Sequence, residues 1–339
     1  MTTTRTVPDV LRRARDLVEG AHRHAVARLS PEIRPLVEYH LGYVDPEGRP
    51  CEGGNGKGIR PALAILGAEA AGAPAPVGVP GAVAVELVHD FSLLHDDVID
   101  CDHERRHRPT VWVLFGTGRA IIAGDALLAL AQRVLLEAPA PAGAAAALAL
   151  SEATSAMIAG QALDMAFETL GTVDVEACLT MEAGKTGALL GCASSIGAVL
   201  AGADEAKVAA LRDYGIQLGL AFQAVDDLLG IWGDPRTTGK PTWSDLRQHK
   251  KTLPVAAALA AGDSAAAELA DLLEQPHLDE TEIARAAQLV DHCGGRAIAT
   301  DEAKGRLAAA LAALDRVPLE RAAREELREV AGFVVARDF

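Results

Sequence analysis

A chain of 339 residues with 32 Lys+Arg against 47 Asp+Glu carries a formal charge of −15, and half of its residues are hydrophobic. That length and apolar content can bury a substantial core and exclude disorder as the main state. The negative balance excludes a general nucleic-acid binder, which needs a basic face to displace counterions from phosphates, and leaves small anionic ligands open.

Alanine, leucine, glutamate and arginine dominate, and aromatic residues are few, so helix is expected along almost the whole length. In chain order the predicted helices cover 8–29, 58–73, 79–103, 116–136, 141–170, 175–202 and 204–232. Shorter ones follow at 252–273, 279–292, 294–314 and 318–336. Turn residues mark loops at 45–56, 73–80, 106–118 and 232–245. With no Pro/Ser-rich hinge and no shift of composition, the chain reads as an all-α, single-domain helical bundle over 1–339, with its motifs between about 53 and 254. The most apolar stretch, 139–160, is interrupted by Ser151, Glu152 and Ser155, so it is expected to be a buried helix and not a membrane span. The first residues lack the apolar segment of a signal peptide, and the five cysteines (Cys51, Cys101, Cys178, Cys192 and Cys293) contain no CxxC pair. A reducing, cytoplasmic setting is the expectation.

Chemistry concentrates where acids interrupt apolar helices. The segment Phe91-Ser92-Leu93-Leu94-His95 runs into Asp96-Asp97-Val98-Ile99-Asp100. Asp96 and Asp100, four apart, share a helix face, while Asp97 is rotated about 100° away. Two carboxylates on one face suit Mg²⁺, a hard cation that completes its octahedron with water and phosphate oxygens. An acidic helix end neutralised by the arginines that follow would look the same in isolation. Those cations, Arg105, Arg106 and Arg108, are also what a magnesium-bound diphosphate needs on its other side. Earlier, Gly53-Gly54-Asn55-Gly56-Lys57-Gly58-Ile59-Arg60-Pro61 opens a helix with Lys57 and Arg60 on one face, a natural phosphate seat although not a Walker loop. A second aspartate pair, Asp226-Asp227, follows Phe222-Gln223 in an apolar helix. After it come Gly239-Lys240-Pro241, Ser244-Asp245-Leu246 and Lys250-Lys251-Thr252-Leu253-Pro254. Gln161, Asp164, Lys185 and Thr186 add further polar groups in mid-helix.

Together these motifs resemble the trans-type isoprenyl diphosphate synthases, the polyprenyl synthetase family that includes farnesyl and geranylgeranyl diphosphate synthases. The likeness runs from about Gly53 to Pro254. It implies the isoprenoid synthase bundle with a central apolar cavity, a homodimer, and about three magnesium ions per active site. It further implies that Asp96 and Asp100 bind the ions that bridge to the allylic diphosphate, with Asp226 holding the third. Arg105, Lys185, Thr186, Gln223, Lys240 and Lys250 match contacts to the allylic substrate. Lys57, Arg60, His89 and Arg106 match the isopentenyl diphosphate site, and Asp97, Gln161, Asp164 and Asp227 match the metal and water shell. The reaction implied is head-to-tail condensation: the allylic C–O bond ionises, isopentenyl diphosphate attacks, and a proton is lost. Phe91, beside the small Ser92, would floor the cavity and favour a short product, C20 ahead of C15.

One departure stands out. Family members usually close the second motif with a third aspartate, and this chain has Gly230 there. A terpene cyclase would share the metal chemistry but have no use for an isopentenyl diphosphate site. A non-catalytic partner subunit would be expected to lose its metal acids, and Gly230 is only a hint in that direction. An acidic scaffold without catalysis does not explain acids followed by cations at matched spacings.

Overall fold

The computed structural model describes residues 8–51, 58–235, 242–275 and 277–335. Its helices are α1 (Asp9–Val26), α2 (Arg34–His40), α3 (Ile59–Ala70), α4 (Val79–Ile99), α5 (Val111–Phe115), α6 (Thr117–Leu136), α7 (Ala142–Glu168) and α8 (Val175–Glu182). They continue as α9 (Ala188–Leu200), α10 (Glu205–Trp232), α11 (Ser244–Arg247), α12 (Leu253–Leu259), α13 (Ser264–Leu273), α14 (Glu280–His292), α15 (Gly295–Ala313) and α16 (Arg321–Val335). Among the described residues the one sheet is a hairpin of β1 (Glu104–Arg105) and β2 (Arg108–Pro109). The all-α expectation is met.

Two compact units emerge. The first comprises Met1–Thr154, Cys192–Arg212 and Val317–Leu327, and the second Ser155–Gly191, Asp213–Arg316 and Arg328–Phe339. In the first, α1 buries Val10, Leu11, Ala14, Val18 and Ala25, a stripe at helical spacing. α4 buries Val83, Ala84, Leu87, Val88, Phe91 and Leu94 and packs most extensively against α6. In the second, Ala224, Val225 and Leu228 of α10 meet Cys178 and Met181 of α8, Leu253 and Ala256 of α12, and Ala299 and Ala303 of α15. All five cysteines are free thiols.

Several expected boundaries change for local reasons. The helix expected over 79–103 stops at Ile99 because Cys101 is left-handed (φ 55°) and the hairpin begins. The helix expected over 252–273 is two: Gly262 turns the chain at φ 69°, and the Asp263 carboxylate caps α13 by accepting from the amides of Ala265 and Ala266. The stretch expected as one helix over 175–202 contains a π-turn, Ala183–Gly187, between α8 and α9. α2 was not foreseen.

The reading of 139–160 as a buried helix is corrected. Only 33% of the most apolar window of α7 is buried, and Leu148 and Ile158 are 62% and 49% exposed. Alanine-rich helices are apolar all round, so composition does not reveal which face is covered. Among the described residues three segments could cross a membrane by length and composition alone, Ala75–Ile99, Ala142–Glu168 and Val175–Leu200, and the apolar windows of the first and third are 61% buried within the protein.

Candidate active site

The last turn of α4 presents the first acids. Asp100 is the C-cap, and its amide donates to the Asp96 carbonyl at 2.8 Å, which keeps the two residues one turn apart. Asp96 is half-buried and Asp100 exposed. The unpaired carbonyls of a helix C-terminus add negative potential at the same place, which favours a cation. Asp97 points inward, 2% exposed; Arg105 Nε donates to its Oδ1 at 2.6 Å, and its buried Oδ2 has no hydrogen-bond partner. Burial raises the Asp97 pKa against the opposing pull of Arg105.

Arg105 and Arg106 sit on the hairpin. Glu104 pairs with Pro109 and Arg105 with Arg108, leaving Arg106 and His107 as a two-residue loop with φ of 53° and 61°. Two left-handed central residues define the tight turn that suits the twist of paired strands, normally made by Asn-Gly. Here the turn is built from non-glycine residues and is held from outside. Thr110 Oγ1 and Trp112 Nε1 both donate to the Asp102 carbonyl at 2.8 Å.

Arg60 and Arg106 both lie close enough to His89 for their charges to act on its imidazole. Burial, reinforced by Arg60, holds the His89 imidazole well below its ordinary range, so it is neutral at pH 7. Asp90, 4% exposed, sets Oδ1 3.7 Å from His40 Nε2. An open pocket beside them is lined by Gly58, Glu86, Asp90 and Arg106 together with His22 and Tyr43.

The second cluster is built on the π-turn. Its wider loop carries Lys185 and Thr186, and such bulges recur at functional sites. α7 approaches it backbone to backbone: a β-carbon on Gly160 would run into the Lys185 amide nitrogen. Lys185 Nζ donates to Asp164 Oδ2. Thr186 Oγ1 donates to Gln223 Oε1 at 3.1 Å, and Gln223 Nε2 donates to Asp227 Oδ1 at 2.9 Å. Asp227 Oδ2 accepts from the Leu253 amide at 2.9 Å, so this carboxylate ties α10 to the start of α12. Its neighbour Asp226 is half-buried and lines an open cleft with Lys185, Thr186, Asp245 and Lys250.

At Gly230 the helix lies against a side chain: a β-carbon there would overlap the carboxylate of Asp245, which is 7% exposed, lines the same cleft and would have to shift to admit it. Ser244 Oγ donates to the Gly230 carbonyl at 3.2 Å and holds the two segments together.

Buried acids give the fold a pH dependence. Burial, with help from Asp90 and against Arg60, pushes Glu86 up to about 7; burial also pushes Asp227 up to about 7. A carboxyl raised in the folded state stabilises it at low pH and loses that contribution as pH rises through its folded value. Calorimetry of the metal-free protein should therefore show a melting temperature that falls between about pH 4 and pH 7 and levels off above. Glu86→Gln should flatten the slope; an unchanged slope would contradict the assignment.

Magnesium usually takes one or two protein carboxylates and keeps water and phosphate oxygens. Asp96 with Asp100, and separately Asp226, offer such partial sets. Among the described residues no three His, Cys, Asp or Glu side chains gather as a self-sufficient cage. The donor set fits an ion that arrives with a diphosphate. Lys57 and Lys240, both expected to bind substrate, lie outside the described residues. The sequence reading quoted Asp245 but gave it no role, and the missing third acid at 230 was the signal that could have pointed to it. Buried Glu182, one turn before Lys185, was also passed over.

The polyprenyl synthetase family model matches residues 51–290, and the chain belongs to that family. It is 48% identical over 339 residues to a (2E,6E)-farnesyl diphosphate synthase of Mycobacterium tuberculosis (strain ATCC 25618 / H37Rv), covering 99% of this chain and 94% of the relative. A polyprenyl synthetase from Streptomyces coelicolor A3(2) superposes with a TM-score of 0.93 at 51% identity, over 98% of this chain and 100% of that one. A geranylgeranyl pyrophosphate synthase from Corynebacterium glutamicum, solved with isoprenyl diphosphate and magnesium, superposes with a TM-score of 0.83 at 27% identity, over 98% and 100%. The chain is thus a prenyltransferase of the prenyl diphosphate synthase class.

Proposed function

We propose that the protein condenses isopentenyl diphosphate head-to-tail with an allylic diphosphate to a short trans-prenyl diphosphate, C20 ahead of C15. The observation that carries this is the pairing of magnesium-type acids with phosphate-type cations in each of two clusters: Asp96 and Asp100 near the Arg105–Arg106 hairpin, and Asp226 with Lys185 and Lys250. Magnesium, when bound, supplies positive charge to the departing diphosphate. Asp96, Asp100 and Asp226 hold the ions. Arg105, Lys185 and Lys250, with Lys240, donate to the allylic diphosphate and stabilise the charge it gains as the C–O bond breaks. Thr186 and Gln223 orient it. Arg60, Arg106, neutral His89 and Lys57 seat the isopentenyl diphosphate, and the apolar walls keep water from the carbocation. The released diphosphate takes the proton. We further propose that the whole chain acts as one domain in the cytoplasm and pairs as a homodimer. The uncovered apolar residues of α6 and α7, among them Ile122, Leu148 and Ile158, support a second copy as their cover.

Incubation with Mg²⁺, isopentenyl diphosphate and dimethylallyl, geranyl or farnesyl diphosphate, followed by mass spectrometry before and after phosphatase, tests the reading. Longer prenyl diphosphates support it. Hydrocarbon formed without consumption of isopentenyl diphosphate would mean a cyclase, and no turnover would favour a partner subunit. Phe91 is 6% exposed and stacks edge-on against His95 with ring centroids 4.8 Å apart. Phe91→Ala should lengthen the product in the same assay, and an unchanged product distribution would remove its role as floor.

A further inference from the structure

Residues 1–50 precede the stretch that the family model matches, yet they reach the arginine hairpin. Tyr39 of α2 is 2% exposed, and its hydroxyl donates to the Pro109 carbonyl at 2.7 Å. The same ring lies under the Arg108 guanidinium, 4.3 Å from the ring centroid. Arg108 Nη2 in turn donates to the Val44 carbonyl at 2.8 Å. Pro109 is the strand partner of Glu104 and Arg108 that of Arg105, so both residues gripped by the 39–44 segment stand directly across from the strand that leads into Arg106. The turn between them is strained by two left-handed non-glycine residues and would relax if it were not held. An open pocket at this junction is lined by Tyr39 and His40 on one side and by Asp97, Arg105, Arg106 and Arg108 on the other.

We infer that Tyr39, with Arg108, is a positioning residue for substrate diphosphate: it clamps β2 and so fixes the directions in which Arg105 and Arg106 present their guanidinium groups. The hydroxyl supplies the fixed point and the ring supplies a flat seat that a planar guanidinium fits and an ammonium does not. This inference rests on the proposed diphosphate-binding role of Arg105 and Arg106.

Tyr39→Phe removes the hydroxyl and keeps the ring. It should raise KM for isopentenyl diphosphate, which Arg106 seats, by about tenfold, and lower kcat/KM for the allylic substrate by at least as much, because Arg105 also stabilises the charge that its diphosphate gains. The same variant should weaken binding of inorganic pyrophosphate in the presence of Mg²⁺, read by isothermal titration calorimetry, by a similar factor. Phe115→Leu is the control, because Phe115 packs edge-on against the Tyr39 ring, centroids 5.6 Å apart, while the hydroxyl bonds to Pro109; it should lower the melting temperature and leave KM in place. Should Tyr39→Phe fail to fold, Arg108→Gln at the half-buried end of the same contact carries the same expectation. Unchanged KM values and unchanged pyrophosphate binding in a folded Tyr39→Phe protein would overturn the inference, as would a KM rise of the same size in Phe115→Leu. If the unmodified protein did not elongate any allylic substrate, the proposed reaction would fall. The pyrophosphate titration would still decide whether Tyr39 positions an anion site.

Discussion

Asp96→Ala should cost at least about a thousandfold in condensation rate, roughly 4 kcal/mol of transition-state stabilisation, and abolish the rise in melting temperature that magnesium with pyrophosphate gives the unmodified protein. Asp96 and Asp100 stand one turn apart at the end of α4, where the helix terminus adds negative potential. A cation bound there with pyrophosphate stabilises the unmodified protein, and the variant lacks that gain. Thermal unfolding with and without Mg²⁺ and pyrophosphate, beside steady-state turnover, measures both. Magnesium-dependent turnover near the original rate would remove Asp96 from the metal site.

The second large effect is counterintuitive. Gly230→Asp would restore the family's usual third acid, and it should destabilise the protein. The new β-carbon would overlap the Asp245 carboxylate, so that side chain has to shift, and a second carboxylate would be buried beside it. Overpacking of this kind costs about 1–3 kcal/mol, and the repulsion of two neighbouring carboxylates adds to it. A compensating Asp245→Gly on the same chain should recover most of the loss, since it clears the space and leaves one carboxylate in the cleft. A double-mutant cycle by chemical denaturation, with a coupling energy above about 2 kcal/mol, would confirm the exchange. A single variant that melts within a degree of the original would show that the Asp245 side chain moves aside at little cost.

The long helices and both acid motifs were legible because their signals are local. α4 and α10 are apolar runs whose acids fall at helical spacing, and Asp96, Asp100 and Asp226 are found half-buried or exposed at those places. What escaped was tertiary. α2 is seven residues long and carries too little periodicity to declare itself. The hairpin lacks the glycine that announces such a turn, because contacts from Tyr39, Thr110 and Trp112 replace local preference. The π-turn at 183–187 shifts the helical register by one residue inside an unbroken apolar pattern, which periodicity does not resolve. The exposure of α7 is invisible for a related reason, since alanine marks no face.

The core beneath Asp226 reaches beyond the stretch by which the family is recognised. Ala299 and Ala303 of α15 close the hydrophobic cluster that supports α10, and they lie past residue 290, where the family match ends. At the other end, the apolar stripe of α1 packs against α3 and α4, and α1 lies wholly before residue 51. A fragment cut to 51–290 would keep every motif and lose the walls that hold them. Homology limits and folding limits are different objects in this chain: the first mark where the chemistry is shared, the second where a hydrophobic core becomes closed. Transplanting the activity into another scaffold, or splitting the chain into complementing halves, would have to respect the second.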